Sequence, residues 1–584
     1  MAQPVTPTAE LLDAGARHRL GERVVGLLAT RGIVSAAELD AFFAEPLAGL
    51  HDPALLPDAA VFRDRIRAAR GAGERVMVFG DFDADGLTGM AILVRALRRL
   101  GVDVLPYVPS RLDEGHGLSR KAIERAIEAH ARVIVTVDCG STSVAEIAAA
   151  NAAGLDVVVT DHHRVPHEPP AALALVNPQR PDSRYPERRL AGSGVAFKLA
   201  QLLLADEPGG VDAALGLADL AAIGSIADLI PILGETRAIV RLGLAAIAKE
   251  PRPGVAALLA AASVLRERVD VETLSFAVAP RINAAGRVGE SEAAASLLLT
   301  DDREEADRLA AELETANRSR RDLTSQAIAE ARAALEAVPP GSGATIVRGA
   351  WPVGIVGLVA SKLVDDHGRP AIVGAELGEV IRASCRSDGR LDLGAALESC
   401  SALFLRHGGH AGAAGFEIAT ERWPEFVEVF GALAERAVPA DPRQVLPVDA
   451  ALAALDVDYP LQRDLARLAP CGTGNPEPLL LIRGLTVTRV RSASGGHSQL
   501  TLRRRLDVLD GIAFGRPDLA ESVAEGAVVD VVARLGSRSF GGYESLQLEI
   551  RDVASAGLQD AAAAVDDAIA IAPAPHAAAA IAVP

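Results

Sequence analysis

The chain is predicted to be a multidomain α/β protein: a doubly wound parallel sheet, a second α/β unit joined to it by a long helix, and a β-rich small barrel. Three observations carry this. Short β-branched runs alternate with helix-like segments of about ten to fifteen residues between Arg75 and Thr160. A long charged segment, Asp301 to Ala337, then runs into the turn Pro339-Pro340-Gly341-Ser342-Gly343. After Pro439-Ala440-Asp441-Pro442 the pattern becomes one of short alternating strands separated by turn residues.

Taken in order, residues 1–70 read as a lead-in of short helices with polar breaks. The first sheet unit, 71–235, opens with Val76 to Phe79, a cluster of aspartates and a helix from Thr88 to Leu100. Strands follow at Val102–Val108, Arg132–Val137 and Asp156–Thr160, with helices at Ser119–His130 and Ser143–Ala152 between them. In such a sheet the site lies beyond the carboxyl ends of the strands. A helical region spans 236–338, within a mainly helical stretch that begins near Val195. The second α/β unit is 339–440 and the strand-rich unit 441–556, with strands at Leu485–Arg491, Ser498–Arg503, Val528–Leu535 and Glu544–Asp552. Residues 557–584 form an Ala-rich tail predicted to be disordered.

At 584 residues the chain is too long for one core, and about two to four domains are expected. Aromatics make up 3% of it, so Leu, Val, Ile and Ala must fill the interiors. No signal peptide is evident, and the most apolar window, Ala213 to Leu233, is broken by Asp219 and Asp228. Cys139, Cys385, Cys400 and Cys471 have neither CxxC spacing nor disulfide-scaffold density, so the expected compartment is cytoplasmic. A net charge of −18 argues against a broad, non-specific duplex binder. It leaves room for a local basic groove, and metal-holding carboxylates are offset by the metal's own charge.

The chemistry concentrates at the strand ends. In Gly80-Asp81-Phe82-Asp83-Ala84-Asp85-Gly86, period-two spacing of extended chain would place Asp81, Asp83 and Asp85 on one side. Like charges so close raise one another's pKa, and a divalent cation relieves them; oxygen-rich sites suit Mg²⁺ or Mn²⁺. Taken alone, the motif has an acidic turn at a strand end as its competing reading. Two further strands end in Asp138 and in Asp161-His162-His163, so three strands deliver Asp or Asp/His to one edge of the same sheet.

These segments resemble the first three motifs of the DHH phosphoesterase family, and Gly224-Ser225-Ile226-Ala227-Asp228-Leu229-Ile230-Pro231 resembles a fourth. Arg111-Leu112-Asp113-Glu114-Gly115-His116-Gly117-Leu118 and Pro280-Arg281-Ile282-Asn283-Ala284-Ala285-Gly286-Arg287 look like the family's single-stranded-DNA exonucleases in particular. The resemblance implies one metal held by Asp83, Asp85 and Asp138, and a second held by Asp85, Asp138, His162 and Asp228. Asp81 and His163 would be the catalytic, proton-handling neighbours. Two divalent ions, Mn²⁺ preferred and Mg²⁺ possible, would acidify water and offset charge on the phosphoryl oxygens. Without the other motifs, Asp228 would read as an N-cap or an ion-paired helix residue.

Ala383-Ser384-Cys385-Arg386-Ser387 and the glycine-rich Gly408 to Gly415 look like the DHH-associated domain. By that resemblance Arg281, Ser384, Arg386 and His410 gather around a terminal 5′ phosphate, giving a 5′→3′ exonuclease that releases 5′-mononucleotides in DNA repair and recombination. Pro470 to Pro478 resembles the segment leading into an OB-fold, where Arg489, Arg491, Arg503, Arg504 and Arg505 would track a phosphate backbone. Stacking aromatics there are few: Phe514, Phe540 and Tyr543. The implied partners are single-stranded DNA with a free 5′ end, a single-strand-binding protein and a RecQ-like helicase, acting on a monomer. One departure stands out: Trp351-Pro352 replaces the family's usual Trp-His, which removes both a ring and a backbone donor. Competing readings are a DHH pyrophosphatase, a phosphodiesterase for short RNAs or cyclic dinucleotides, and a non-catalytic scaffold.

Overall fold

The computed structural model describes residues 5–110, 114–288, 291–336, 343–437, 446–540 and 543–557. The expectations for Arg111 to Asp113, for the turns at 339–342 and 439–442 and for the Ala-rich tail, like the Phe540 side chain, lie outside the described residues.

The chain divides into two units. In the larger, Pro46–Gln444 with Gly472–Gly474, strands β1 (Arg75–Gly80), β2 (Asp103–Tyr107), β3 (Ala131–Val137), β4 (Asp156–Thr160) and β5 (Ala174–Val176) form a parallel sheet ordered β2-β1-β3-β4-β5. Alternating side chains explain its two covered faces. Val76, Val78, Val133, Val135 and Val158 join a core with the helices Ala84–Arg99, Gly192–Leu204 and Ala218–Ala227. Met77, Phe79, Ile134, Val157 and Val159 point the other way, onto Ile123, Ala126, Ile147 and Ala150. Strands buried on both faces read as unbroken apolar runs, which is why the sequence exposes them. Because β1 has β2 on one side and β3 on the other, the winding reverses at β1, and the crevice beyond its carboxyl end is the switch point.

The helix predicted from Thr88 begins at Ala84, so Asp81, Asp83 and Asp85 do not form an extended row. Asp83 is the N-cap, its Oδ1 accepting from the N–H groups of Asp85 and Gly86 at 3.0 Å each, and Asp85 lies in the first helical turn. Among the described residues one apolar stretch, Gly210–Ala227, is long enough to cross a membrane, and 67% of it is buried.

The second sheet comprises β6 (Thr345–Gly349), β7 (Ala371–Leu377), β8 (Val380–Arg386), β9 (Arg406–Gly409) and β10 (Ala413–Ala419), ordered β6-β7-β8-β10-β9. Only β6 and β7 among them are parallel. Phe426 and Phe430 of the helix Trp423–Ala437 pack on one face, and the helix Val353–His367 on the other. The helix Arg303–Glu336, 34 residues and about 50 Å long, spans both cores. Its Leu309 and Leu313 enter the first, its Ala327 and Ala331 the second.

In the smaller unit β11 (Ala450–Ala453), β12 (Leu480–Ala493), β13 (His497–Arg504), β14 (Asp507–Ala513), β15 (Val528–Phe540) and β16 (Tyr543–Ser555) form one sheet. β12 pairs with both β13 and β15, closing a five-stranded barrel β12-β13-β14-β16-β15. Three helices from the start of the chain, Ala9–Arg17, Glu22–Thr30 and Ala36–Phe43, belong to this unit. Arg31 grips the Asp449 carboxylate through Nε and Nη2 at 2.7 and 2.9 Å.

Candidate metal centre

Every residue of the candidate centre sits on, or just past, the carboxyl end of a strand or at a helix end. Asp85 is held from behind: its Oδ2 accepts the Gly192 N–H at 2.7 Å and its Oδ1 the Ser193 N–H at 3.0 Å. These are the first amides of the helix Gly192–Leu204, whose positive end suits a carboxylate. Each oxygen keeps a further lone pair for a cation. Asp138 follows β3 with φ of 64°, a left-handed conformation that Asp tolerates better than most residues. Its N–H still bonds to the Thr160 carbonyl at 3.0 Å, so the turn swings the side chain without breaking the ladder. Asp228 is the C-cap of the helix Ala218–Ala227, neither N-cap nor helix interior.

His162 brings these groups together. Its Nε2 lies 3.0 Å from Asp138 Oδ1, 3.6 Å from Asp228 Oδ2 and 3.9 Å from Asp85 Oδ2. Asp138 Oδ1, His162 Nε2 and Asp228 Oδ2 are nevertheless buried with no hydrogen-bond partner, so the three atoms converge without bonding one another. Buried polar atoms are rarely left so. Ligand atoms of Asp85, His162 and Asp228 lie within 4.8 Å of one another, as do those of Asp138, His162 and His163. Hard carboxylate oxygens with one imidazole are a donor set for Mn²⁺ or Mg²⁺, and the residues present fit a divalent ion.

The electrostatics agree. Burial, then the charges of Asp85 and Asp83, pushes Asp138 well above the usual carboxylate range. Burial and Asp85 do the same to Asp228. Asp83 is raised to about 6 by burial and by Asp81 and Asp85. Burial, then His163, keeps the His162 imidazole neutral, the form a metal takes. Burial also disfavours the charged form of His163. There, however, a hydrogen bond to Asp161 and its charge outweigh burial and hold the ring up at about 9.

Asp161 received no role from the sequence. It accepts the N–H groups of Ser141, His162 and His163 at 2.9, 2.7 and 3.1 Å, and its Oδ1 meets His163 Nδ1 at 2.8 Å. An aspartate two residues ahead of a histidine at a strand end was the available signal.

Asp81, Asp83, Asp138, His163 and Asp228 line a cavity of about 260 Å³, together with His116 and His410. Asp81 Oδ2 lies 3.4 Å from His116 Nδ1. A second cavity, of about 350 Å³, is lined by Ser384, Arg386, Arg287 and, again, His116. Arg386 Nη1 donates to Ser384 Oγ at 3.1 Å, and a Cβ on Gly357 would come within 3.0 Å of its Nη2. Pro352 is the N-cap of the adjoining helix Val353–His367, and Trp351 Nε1 donates to Glu330 at 2.7 Å.

Two expected phosphate ligands lie elsewhere. His410 lines the metal cavity rather than the one holding Ser384 and Arg386. Arg281 lines neither: it is 8% exposed, its Nε lies 2.8 Å from Glu314 and its Nη1 donates to the Ala277 carbonyl at 2.6 Å. Arg287, six residues on in the helix Ala279–Val288, points about 120° away and reaches the cavity instead.

Residues 75–225 match the DHH family, N-terminal domain; residues 341–436 match the DHHA1 domain, and residues 448–552 the RecJ OB domain. Fold and site thus place the chain in the DHH class. The single-stranded-DNA-specific exonuclease RecJ of Bacillus subtilis is 34% identical over 538 residues, covering 91% of this chain and 68% of that protein. RecJ of Thermus thermophilus is 36% identical over 555 residues, 94% and 77% of the two chains, and that of Escherichia coli 33% over 562, 90% and 95%. The crystal structure of Thermus thermophilus RecJ in complex with Mn²⁺ superposes with a TM-score of 0.81 at 32% identity, covering 94% of this chain and 78% of that one. The chain belongs to the RecJ family of single-stranded-DNA-specific exonucleases.

Proposed function

We propose that the chain is a metal-dependent exodeoxyribonuclease that degrades single-stranded DNA from its 5′ end, releasing 5′-mononucleotides, in DNA repair and recombination. The convergence of three partnerless buried ligand atoms, on Asp138, His162 and Asp228, carries this reading. Asp83, Asp85 and Asp138 would hold one divalent ion, and Asp85, Asp138, His162 and Asp228 a second, Mn²⁺ in preference to Mg²⁺. When bound, the ions supply acidified water and offset charge on the phosphoryl oxygens.

The chain's own residues do the rest. Gly192 and Ser193 fix Asp85 so that it presents constant lone pairs. Asp161 holds His163 through Nδ1 and favours its protonated form, in which Nε2 would donate to a non-bridging oxygen or the departing 3′-oxygen. Asp81 steadies His116 at the rim. Ser384 and Arg386, with Arg287, would take the terminal 5′ phosphate in a charge-assisted grip and set the polarity. The barrel would bind the strand further along, through exposed Arg489, Arg491, Phe514 and Tyr543. The setting that suits this activity is a monomer in the cytoplasm, working with a single-strand-binding protein and a RecQ-like helicase.

The test is digestion of single-stranded oligonucleotides labelled at one end, with Mn²⁺ and with Asp138→Ala as control. Mononucleotides leaving from the 5′ end are expected, and their release from the 3′ end would overturn the assigned polarity.

A further inference from the structure

The row of side chains that includes Ser384 and Arg386 extends one step further. On β8, Arg382, Ser384 and Arg386 point to the same face, successive members about 6.6 Å apart along the strand. In the antiparallel register Arg386 faces Ala413, Ser384 faces Gly415 and Arg382 faces Glu417 of β10. Gly415 and Glu417 in turn face Gly408 and Arg406 of β9. His410, in the connection between β9 and β10, lines the metal cavity, so Arg386 is at the near end of the row and the rung Arg382–Glu417–Arg406 at the far end.

The two rungs differ in a way that suits an elongated anion. The Ser384 rung carries glycines on the next two strands, Gly415 of β10 and Gly408 of β9, and a Cβ on Gly408 would meet nothing within 4 Å, so that floor is bare. The next rung is cationic. Arg382 Nε and Arg406 Nη2 both lie 2.5 Å from Glu417 Oε1, so one carboxylate aligns two guanidiniums and leaves a net positive charge. A guanidinium offers five donors, and Glu417 engages a single nitrogen of each. Both rungs line the cavity of about 350 Å³, within the range of about 300–1,000 Å³ that holds whole small ligands and therefore larger than one phosphate needs.

We infer that Arg382 and Arg406, bridged by Glu417, form a second anion subsite that takes the outer phosphates of a 5′-di- or triphosphate, while Ser384 and Arg386 hold the phosphate next to the sugar. The inference rests on the proposed seating of the 5′ phosphate at Ser384 and Arg386. The same chemistry is offered by a triphosphate-ended strand and by a free nucleoside triphosphate.

The test measures binding of the full-length protein with Mn²⁺ to oligonucleotides that differ only in the 5′ end: hydroxyl, monophosphate or triphosphate, each with a non-hydrolysable first linkage. Wild-type protein should bind the triphosphate end at least as tightly as the monophosphate end. Arg382→Gln combined with Arg406→Gln should weaken the triphosphate complex about tenfold and the monophosphate complex by no more than about twofold. Glu417→Gln should tighten the triphosphate complex. Inorganic tripolyphosphate and a nucleoside triphosphate, added as competitors, decide between the two sources: displacement at low concentration points to free nucleotides, and its absence to strand ends. A triphosphate end bound about tenfold more weakly than a monophosphate end, or one indifferent to both arginine substitutions, would overturn the subsite. Equal binding of hydroxyl and monophosphate ends would instead remove the underlying phosphate seat.

Discussion

Asp161 and His163 form a hydrogen-bonded pair, Oδ1 to Nδ1 at 2.8 Å, with the carboxylate 1% exposed and the imidazole facing the metal cavity. The pair is anchored from below by three backbone amides, so the aspartate cannot turn away.

The first prediction concerns its titration. In metal-free protein His163 should lose its proton near pH 9. Its folded pKa lies above the ordinary histidine value of about 6.5, so the stability it contributes is complete below that value and is lost as pH rises through about 9. Asp161→Asn removes the charge and should bring the titration down by more than about one unit, with turnover falling about 10²–10⁴-fold. Histidine ring resonances followed against pH check this, and a His163 titration unmoved by Asp161→Asn would refute it.

The second concerns metal and stability. Asp83, Asp138 and Asp228 all have folded pKa values raised by burial and mutual repulsion, so folding takes up protons. Their contribution to the stability of the metal-free protein is therefore greatest in acid and falls as pH rises, for Asp83 between about 4 and about 6 and for the other two further up. Mn²⁺ should raise Tm more at pH 8 than at pH 5.5. Melting in Mn²⁺ and in chelator at both pH values decides the point; an equal or larger gain at pH 5.5 contradicts it.

The third concerns close packing behind the ligands. A Cβ on Gly224 would lie 2.5 Å from Asp85 Oδ1, and one on Gly192 2.5 Å from the Cβ of Asp138. Gly224→Ala and Gly192→Ala should each cost about 1–3 kcal/mol and weaken Mn²⁺ binding measured by calorimetry. Unchanged affinity in both variants would show that the ligands do not depend on this packing.

The fourth separates two arginines. Arg281→Ala removes the nearest of the arginines around Glu314, which keeps Arg318 and Arg321 at 3.8 and 3.7 Å, and should destabilise the protein by about 1–3 kcal/mol while preserving preference for a 5′ phosphate. Arg386→Ala should do the reverse, abolishing that preference with little change in Tm. Comparing hydroxyl and phosphate ends by digestion rate, alongside melting curves, distinguishes the pair.

Much of this centre was legible in the sequence because strands buried on both faces leave unbroken apolar runs, and the residues just past each run stand at the sheet edge. Asp138, His162 and Asp228 were found that way or through the family motifs. The geometry of Asp85 was not legible: a period-two pattern and a capped helix start share the same three aspartates, and the close fit of Gly86 against Asp81, with an added Cβ 2.6 Å from the Asp81 amide, favours the helix. Arg281 and Arg287 occupy one motif, and only the helix's orientation tells which faces the cavity. β14 escaped notice because Asp507, Asp510 and Gly511 weaken its strand pattern, while pairing with β13 and β16 supplies what the local sequence lacks. The docking of the first helices on the barrel unit depends on Arg31 and Asp449, 418 positions apart, which no local pattern announces.

The most direct measurement is anomalous scattering at the manganese edge from crystals of the full-length protein grown with Mn²⁺. Two peaks about 3.5–4 Å apart are expected, bridged by carboxylate oxygens of Asp85 and Asp138, with His162 on only one of them. A map with no manganese between Asp85 and Asp138 would contradict this arrangement.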